Sequence, residues 1–455
     1  MSLIQITDNH HNWKKITDCL QNQTLTYDLG VIKTDLVKIA NIKIGKLTLD
    51  DNANLLVFPR DLHRYGDEIS ESHIISLHDD EISTGNIMGF VGVNDTQLDI
   101  KSRFAKEDGN DFFLHYMLQK VFSINLFDIK HTTNQEDVFD FLVYLFPHFL
   151  KKALAQGLFK KYRRFEYNDA NIRGPIDVNQ HIRENIPFRG TVAYSTREHN
   201  YDNEVTQLVR HTIEYIRTKE FGANILNNDP DTKNCVMQIN LATQSYNVRE
   251  RMKVINQNLR PVRHPYFSAY TELQNICLRI LRHESIKYGQ EKDKVYGILF
   301  DGAWLWEEYL NTILKKCEFK HPENKKHKGG FPMFEKESDD DAISKNSRRL
   351  YPDFWKDDFI LDAKYKHLNN GVGREDLYQV VTYMYCRKAK NGAYMYPFEQ
   401  KINKISYELN KTYGYGGHIH VIPFYVPRLS TTYKSFIENI IQSEKEIESL
   451  TKSIQ

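Results

Sequence analysis

By type and spacing, the residues in this sequence best suited to chemistry are Asp353, Asp362 and Lys364, which fall within the segment Leu350-Tyr-Pro-Asp-Phe-Trp-Lys-Asp-Asp-Phe-Ile-Leu-Asp-Ala-Lys-Tyr-Lys366. The segment reads as a β-hairpin turning near Lys356-Asp357. Alternation along its second strand puts Ile360, Asp362, Lys364 and Lys366 on one face, and Phe359, Leu361, Ala363 and Tyr365 on the other. A two-residue turn sets Asp353 opposite Ile360 and diagonal to Asp362, about 7–8 Å away on the same face. Two carboxylates so placed can share a hard divalent cation. A neighbouring lysine can orient a water or stabilise developing negative charge. The combination suits phosphodiester hydrolysis, in which charge builds on the phosphoryl oxygens while the attacking water loses a proton. Magnesium is the expected ion, with manganese able to substitute.

An acid-x-Lys tripeptide alone carries little weight, since it recurs at Asp99, Asp128, Asp231 and Glu318. The copy at 362–364 differs in context. It lies on an apolar strand, has Pro352-Asp353 upstream at matching face parity, and is flanked by two helices with suitable polar residues. The upstream helix starts from Asp301 as N-cap and runs through Leu314, with Trp306, Tyr309, Leu310 and Ile313 on its buried face. Glu307 falls at the edge of that face and is the candidate for a further acidic ligand, whereas Glu308 is expected to point to water. The downstream helix, near 376–384, brings Gln379 and Tyr383 together at i and i+4, away from a packing stripe of Leu377, Val380, Val381 and Met384. That amide and phenol could brace the catalytic strand or touch the substrate.

The elements that must hold these groups follow from periodicity. From 38 to 104 the pattern is strands and turns, including a stretch at Ile42 and Ile44, a strand at Leu55–Phe58 stopped by Pro59, and a hairpin from Ile87 to Ile100 turning at Asn94-Asp95. From Asp111 the period becomes helical and stays so to about 288, with an interruption at Pro147, a clear amphipathic helix at 203–217 and another near 266–283. Residues 318–348 are polar and aperiodic, as in a long loop or a disordered insertion. Strands at 393–396 and 419–422 complete a C-terminal α/β core, and a final helix after Ser435 ends in a charged, frayed tail.

At 455 residues, two or three domains are expected. A net charge of +1 does not itself advertise a nucleic-acid partner. Local basic groups, among them Lys160–Arg164, Lys325–Lys328, Arg348-Arg349 and Arg387-Lys388, could neutralise phosphates, although such runs are most often solvated surface. Lys366 is equally a phosphate contact or a solvated strand-end lysine. No apolar run is long enough to span a bilayer, and the start lacks the layout of a secretion signal, so a cytoplasmic protein without membrane contact is expected. The five cysteines lie far apart with no C-x-x-C pair and read as reduced thiols. His418 and His420 share a strand face with no third ligand nearby, which favours structural histidines over a zinc site.

With Leu305-Trp-Glu307, Pro352-Asp353, Asp362-Ala-Lys364 and Gln379-x-x-x-Tyr383 in this order, the chain resembles the McrC family, the nuclease subunits of modified-cytosine restriction systems, and their LlaJI-type relatives. Gly157–Tyr162, Ile172–Asp177, His181-Ile-Arg183 and Asn203-Glu-Val205 are similar to the middle region of that family. The resemblance implies a multi-domain α/β protein: a β-rich, partner-binding module at 1–110, a mainly helical middle region at 111–290, a PD-(D/E)-x-K restriction-endonuclease-like domain at 291–435, and a C-terminal helix and tail at 436–455. It implies a magnesium-dependent DNA endonuclease acting on double-stranded DNA within a hetero-oligomer. There it would dock on and stimulate a separate McrB-like AAA+ GTPase. The sequence has no G-x-x-x-x-G-K-[ST] loop, so nucleotide hydrolysis falls to the partner. Two other functions fit the same residues: a RecB-like DNA repair nuclease acting without a GTPase, and a non-cutting activator of an AAA+ motor.

Overall fold

The computed structural model describes residues 2–9, 12–20, 28–49, 53–59, 68–94, 96–106, 111–122, 135–219, 222–227, 229–286, 295–322, 329–334, 349–366, 368, 371–400, 410–413 and 416–453. Arg348 and most of the 318–348 segment lie outside the described residues. The chain forms two compact units, one of residues 1–124 with 291–455 and one of residues 125–290.

The first unit opens with β1 (Ser2–Thr7), β2 (Ala53–Phe58), β3 (Ile87–Val93) and β4 (Thr96–Lys101), followed by helix α1 (Phe112–Phe122). β3 and β4 form the expected hairpin, with Val93 paired to Thr96 and Asn94 at φ 49°, a conformation asparagine tolerates. The stretch read as a strand at Ile42 and Ile44 is instead a helix from Ile44 to Leu49. Ile44 and Leu47, three residues apart, are both buried, which is the spacing of a helix face. They join Ile4, Leu36, Val91 and Leu98 in one apolar core.

The second unit contains α2 (Gln135–Leu154), β5 (Lys161–Asp169), α3 (Val178–Asn185), β6 (Val192–Asn200), α4 (Glu204–Arg217), α5 (Pro230–Ala242) and α6 (Ala269–Ile286). α2 continues through Pro147, because buried Val143, Leu145, Phe146, Phe149 and Leu150 hold the turns on both sides of it. α4 carries a reciprocal cap: the Asn203 side chain accepts from the Val205 and Thr206 amides, and Thr206 Oγ1 accepts from the Asn203 amide. The helical reading of 111–290 lacks β5 and β6, which pair antiparallel from Lys161↔Asn200 to Asp169↔Val192. A two-stranded ribbon with much of its surface in water needs no continuous apolar face, so its sequence shows weak alternation.

β7 (Val295–Asp301) then returns to the first unit. It lies between β3 and β2, antiparallel to the former and parallel to the latter, giving the order β1-β4-β3-β7-β2. Residues from 291 on are grouped by sequence with the C-terminal elements, yet this strand completes the N-terminal sheet. Its buried Val295, Ile298, Leu299 and Phe300 suit a strand covered on both faces. α7 (Gly302–Leu314) follows at once, with the Asp301 carboxylate accepting from the Ala303 amide.

β8 (Phe354–Lys356), β9 (Phe359–Ala363), α8 (Arg374–Arg387), β10 (Asn391–Phe398), β11 (Asn410–Lys411) and β12 (His418–Tyr425) build a second five-stranded sheet in the order β8-β9-β10-β12-β11. Its three middle strands are parallel. The result is a mixed α/β chain of several sheets. α8 packs through Val380, Tyr383 and Met384 against Ile360, Tyr394 and Ile419. The approach is close enough that a Cβ on Gly392 would stand 2.5 Å from the Met384 sulfur. Val381, expected in this stripe, is exposed, and Tyr383 takes the buried place. Phe424 of β12 meets Trp306 and Tyr309 of α7 edge-on.

The last helix, α9 (Tyr433–Ser453), is no frayed tail: Ile440, Ile447 and Thr451 are buried. Its buried Glu444 accepts hydrogen bonds from the Tyr116 and Tyr309 hydroxyls, both 2.9 Å, and from Lys120 Nζ at 3.0 Å. One carboxylate thus ties α9 to α1 and to α7, the helix that carries Glu307. Glu444→Ala leaves two phenols and an ammonium without their acceptor and is expected to cost about 3–5 kcal/mol of stability. Denaturant unfolding checks this, and a loss below about 1 kcal/mol would contradict it.

Candidate active site

The hairpin register places the acidic residues closer than expected. Phe354 pairs with Leu361, Trp355 with Ile360 and Lys356 with Phe359, so the turn is Asp357-Asp358, with Asp357 at φ 38°. The turn falls one residue later than the sequence suggests, which shifts the register by two and preserves face parity. Continuing the ladder one step puts Asp353 directly across from Asp362 rather than diagonal to it. Asp353 Oδ2 accepts the Ala363 amide at 2.7 Å.

Lys364 Nζ lies 2.8 Å from Asp362 Oδ2 and 3.0 Å from Asp376 Oδ1. Lys366 Nζ is 2.8 Å from Asp376 Oδ2. Asp376, in the first turn of α8, is therefore the shared counter-ion of both lysines. Sequence reasoning missed that role, although an acidic residue in the first turn of the helix that follows the strand was a usable signal. The Tyr394 hydroxyl donates to the Asp376 carbonyl at 2.8 Å and fixes that turn.

Burial dominates the electrostatics. It pushes Asp353 up to about 7, with the charge of Glu307 adding to the effect. It likewise pushes Asp362 up to about 7, aided by the charge of Asp353. For Lys364 burial works against the charge, but Asp362 and Asp376 outweigh it and hold the ammonium protonated. Burial also opposes ionisation of Asp376, yet its bonds to Lys366 and Lys364 keep it below the usual carboxylate range.

A second residue missed from sequence is His321. Its ring stacks on Phe354 with centroids 4.8 Å apart, and its Nδ1 lies 2.8 Å from the Asp353 carbonyl oxygen. Nδ1 is 3.7 Å from Glu307 Oε1, and Nε2 is 3.8 Å from Glu308 Oε1. Burial disfavours its charge, but the Glu308 contact and the Glu307 charge raise it to about 9. Glu308, expected to face water, is turned to this imidazolium, which sits between the two glutamates. Gln379 Nε2 donates to the Tyr383 hydroxyl at 2.9 Å, so that pair forms as spaced. Burial, with the charges of Asp353 and Asp362 adding to it, raises the Tyr383 phenol. Arg349 donates to the Gly330 carbonyl, and Arg348 lies outside the described residues.

Asp353, Asp362, Lys364, Gln379 and Tyr383 are thus brought to one side of the sheet, with Glu307 near enough to act on Asp353. Among the described residues no three His, Cys, Asp or Glu side chains close into a ready-made metal cage. Two repelling carboxylates with hard oxygen donors, Asp362 buried and Asp353 half-buried, fit a cation such as magnesium, which takes one or two protein carboxylates and keeps waters or substrate phosphates for the rest.

Fold and site together define a multi-sheet α/β protein with a facing aspartate pair and a lysine on adjoining strands. The chain belongs to the family described as the McrBC 5-methylcytosine restriction system component, whose model matches residues 82–397, in line with the resemblance read from its motifs. No curated protein matches it. Among solved structures it is similar to a half-complex from a tetradecameric assembly of Thermococcus gammatolerans McrB AAA+ hexamers with bound McrC. That likeness has 16% identity and a TM-score of 0.46, covering 98% of this chain and 100% of that one. It is also similar to a Thermococcus gammatolerans McrBC complex, with 15% identity and a TM-score of 0.35, covering 71% of this chain and 90% of that one. No described helix is long and apolar enough to cross a membrane.

The raised Asp353 carboxyl has a measurable consequence. Its folded value of about 7 exceeds the model-peptide value of 3.8, so the stability it contributes is full at low pH and is lost as pH rises through about 7. In chelator-treated protein, Asp353→Asn is expected to melt above wild type at pH 8, by roughly 2–4 °C, the shift about 1 kcal/mol produces in a larger domain. The gap should close toward pH 4. A wild type that melts at or above the variant at pH 8 would rule out a carboxyl held this far above its ordinary range.

Proposed function

We propose that this chain is the DNA-cutting subunit of a McrBC-type restriction system. It hydrolyses phosphodiester bonds of double-stranded DNA on a PD-(D/E)-x-K-type site in the cytoplasm, and it docks on and stimulates a separate McrB-like AAA+ GTPase. The observation that carries the reading is Asp353 facing Asp362 across the hairpin with Lys364 at 2.8 Å from Asp362. Membership of a family described as a restriction system component supports the same reading, as does the lack of a phosphate-binding loop in the sequence.

Asp353 and Asp362 would hold magnesium, with Glu307 as a further acidic ligand directly or through water. Bound there, the ion supplies Lewis-acid polarisation of a phosphoryl oxygen and a lowered pKa for its water. The chain's own residues do the remainder. Lys364, charged and pinned between Asp362 and Asp376, presents a fixed N–H donor to the attacking water or to the phosphoryl oxygen. His321 neutralises part of the charge of Glu307 and Glu308 and fixes the Asp353 backbone. The bond from Gln379 orients the Tyr383 hydroxyl at the margin of the site. Lys366, half-exposed beside Asp376, is positioned to meet a neighbouring phosphate.

Asp362→Ala and Lys364→Ala are each expected to slow magnesium-dependent cleavage by roughly 10²–10³-fold, the scale for removing one group that stabilises developing charge. Stimulation of the partner's GTP hydrolysis should persist. The assay is plasmid cleavage by the purified chain with a McrB-like AAA+ partner and GTP. Full cutting by either variant overturns the assignment, and cutting that ignores the partner and nucleotide overturns the restriction-subunit reading.

A further inference from the structure

We infer that Arg103 is a positioning residue of the cleavage site, a guanidinium bracket through which the N-terminal sheet fixes the strand end carrying Lys364 relative to the helix carrying Glu307. The inference rests on the nuclease reading above.

Arg103 follows β4 and is held at both its backbone and its side chain. Its amide donates to Asp8 Oδ1 at 2.5 Å, while Nε and Nη2 donate to Asp8 Oδ2 at 3.1 and 2.6 Å. The preceding Ser102 is fastened by its amide and hydroxyl to Asp111, at 2.5 and 2.9 Å. Only 10% of the arginine side chain is exposed. Its remaining donors reach outward in two directions. Nη1 donates to the Tyr365 carbonyl at 3.0 Å, and the guanidinium lies 4.5 Å from the centre of the Tyr365 ring. Nη2 donates to Asn86 Oδ1 at 2.5 Å.

Each direction ends at the site. β9 stops at Ala363, and the next amide, Lys364 N, bonds to the Met395 carbonyl at 2.9 Å. Beyond that point the chain has left the ladder, so the Tyr365 carbonyl needs a donor from elsewhere, and Arg103 supplies it. The arginine therefore clamps the residue directly after Lys364. In the other direction, Asn86 accepts the Gly302 amide on its carbonyl at 3.0 Å and places Nδ2 3.4 Å from Asp301 Oδ1. Asp301 caps α7, which carries Glu307 five residues on from Gly302. The two arms also meet directly, since a Cβ on Gly302 would stand 2.7 Å from the Tyr365 ring. A planar fork with five donors can serve Asp8, Asn86 and Tyr365 together. A lysine ammonium on a flexible stem cannot hold all three in that plane.

The test uses the full chain with its AAA+ partner, GTP, magnesium and plasmid DNA, comparing wild type with Arg103→Lys, Arg103→Met and Asn86→Ala. Arg103→Lys is expected to lower kcat at saturating magnesium by roughly 10-fold or more, within the range that a misplacement of about 1 Å produces. The KM for DNA, the stimulation of GTP hydrolysis and the melting temperature should stay close to wild type. Asn86→Ala, which leaves the Asp8–Arg103 pair intact, should give a smaller loss of kcat with the same pattern and decides the matter if the arginine variants are unstable. A wild-type kcat in Arg103→Lys and in Asn86→Ala overturns the inference, as does a loss matched by equal falls in melting temperature and GTPase stimulation. If wild type itself does not cut, the nuclease reading fails separately. Amide exchange over 363–366 then judges the bracket: faster exchange in Arg103→Lys supports it, and unchanged exchange overturns it.

Discussion

Two carboxyl groups, a half-buried Asp353 and a buried Asp362, face each other on neighbouring strands and repel, and the charged groups around the hairpin serve to make that pairing tolerable. Lys364 lies against Asp362, Asp376 lies against Lys364, and Lys366 lies against Asp376, so charge alternates away from the hairpin along a chain of ion pairs. On the other side His321 is wedged by Glu307 and Glu308 and bonded to the Asp353 backbone. Both arrangements relieve only part of the penalty, and the two aspartates stay well above the usual carboxylate range, a condition that favours entry of a hard cation.

The scaffolding follows from the same requirement. Carboxylates whose repulsion must be held in place cannot sit on a loose strand. β9 lies between an antiparallel and a parallel neighbour, and α8 seals its face through Val380, Tyr383 and Met384. α7 is held at its start by Asp301 and Asn86 and along its length by Tyr309, whose hydroxyl shares Glu444 with Tyr116. The helix bearing Glu307 is therefore located by contacts at both its start and its middle.

Much of this was legible in the residues themselves. The alternation of Ile360, Asp362 and Lys364 survives a register error of two because face parity has period two. The Asp301 cap and the burial of Trp306, Tyr309, Leu310 and Ile313 follow from helix periodicity. What escaped was everything carried by long-range partners. His321 sits in a polar stretch that has no period to read, and its role exists only because Phe354 and two glutamates converge on it. Asp376 looked like a helix-start residue until two lysines met it. The β5–β6 ribbon hid because strands largely in water carry charges on either side. β7 was grouped with its sequence neighbours because an apolar run does not say which sheet it enters.

That last strand has a consequence for how the protein is made. β7 is separated from its pairing partners β3 and β2 by the whole second unit, and it lies between them. A nascent chain emerging from the ribosome can pair β3 with β4 early, but β2 has no seat in the sheet until about 300 residues have been synthesised. During that interval β2 and β3 each present an open edge, the state in which strands recruit foreign partners. Completion of the N-terminal sheet is thus timed by translation of the second unit, and since α7 follows β7 without a loop, the same event starts assembly of the C-terminal site.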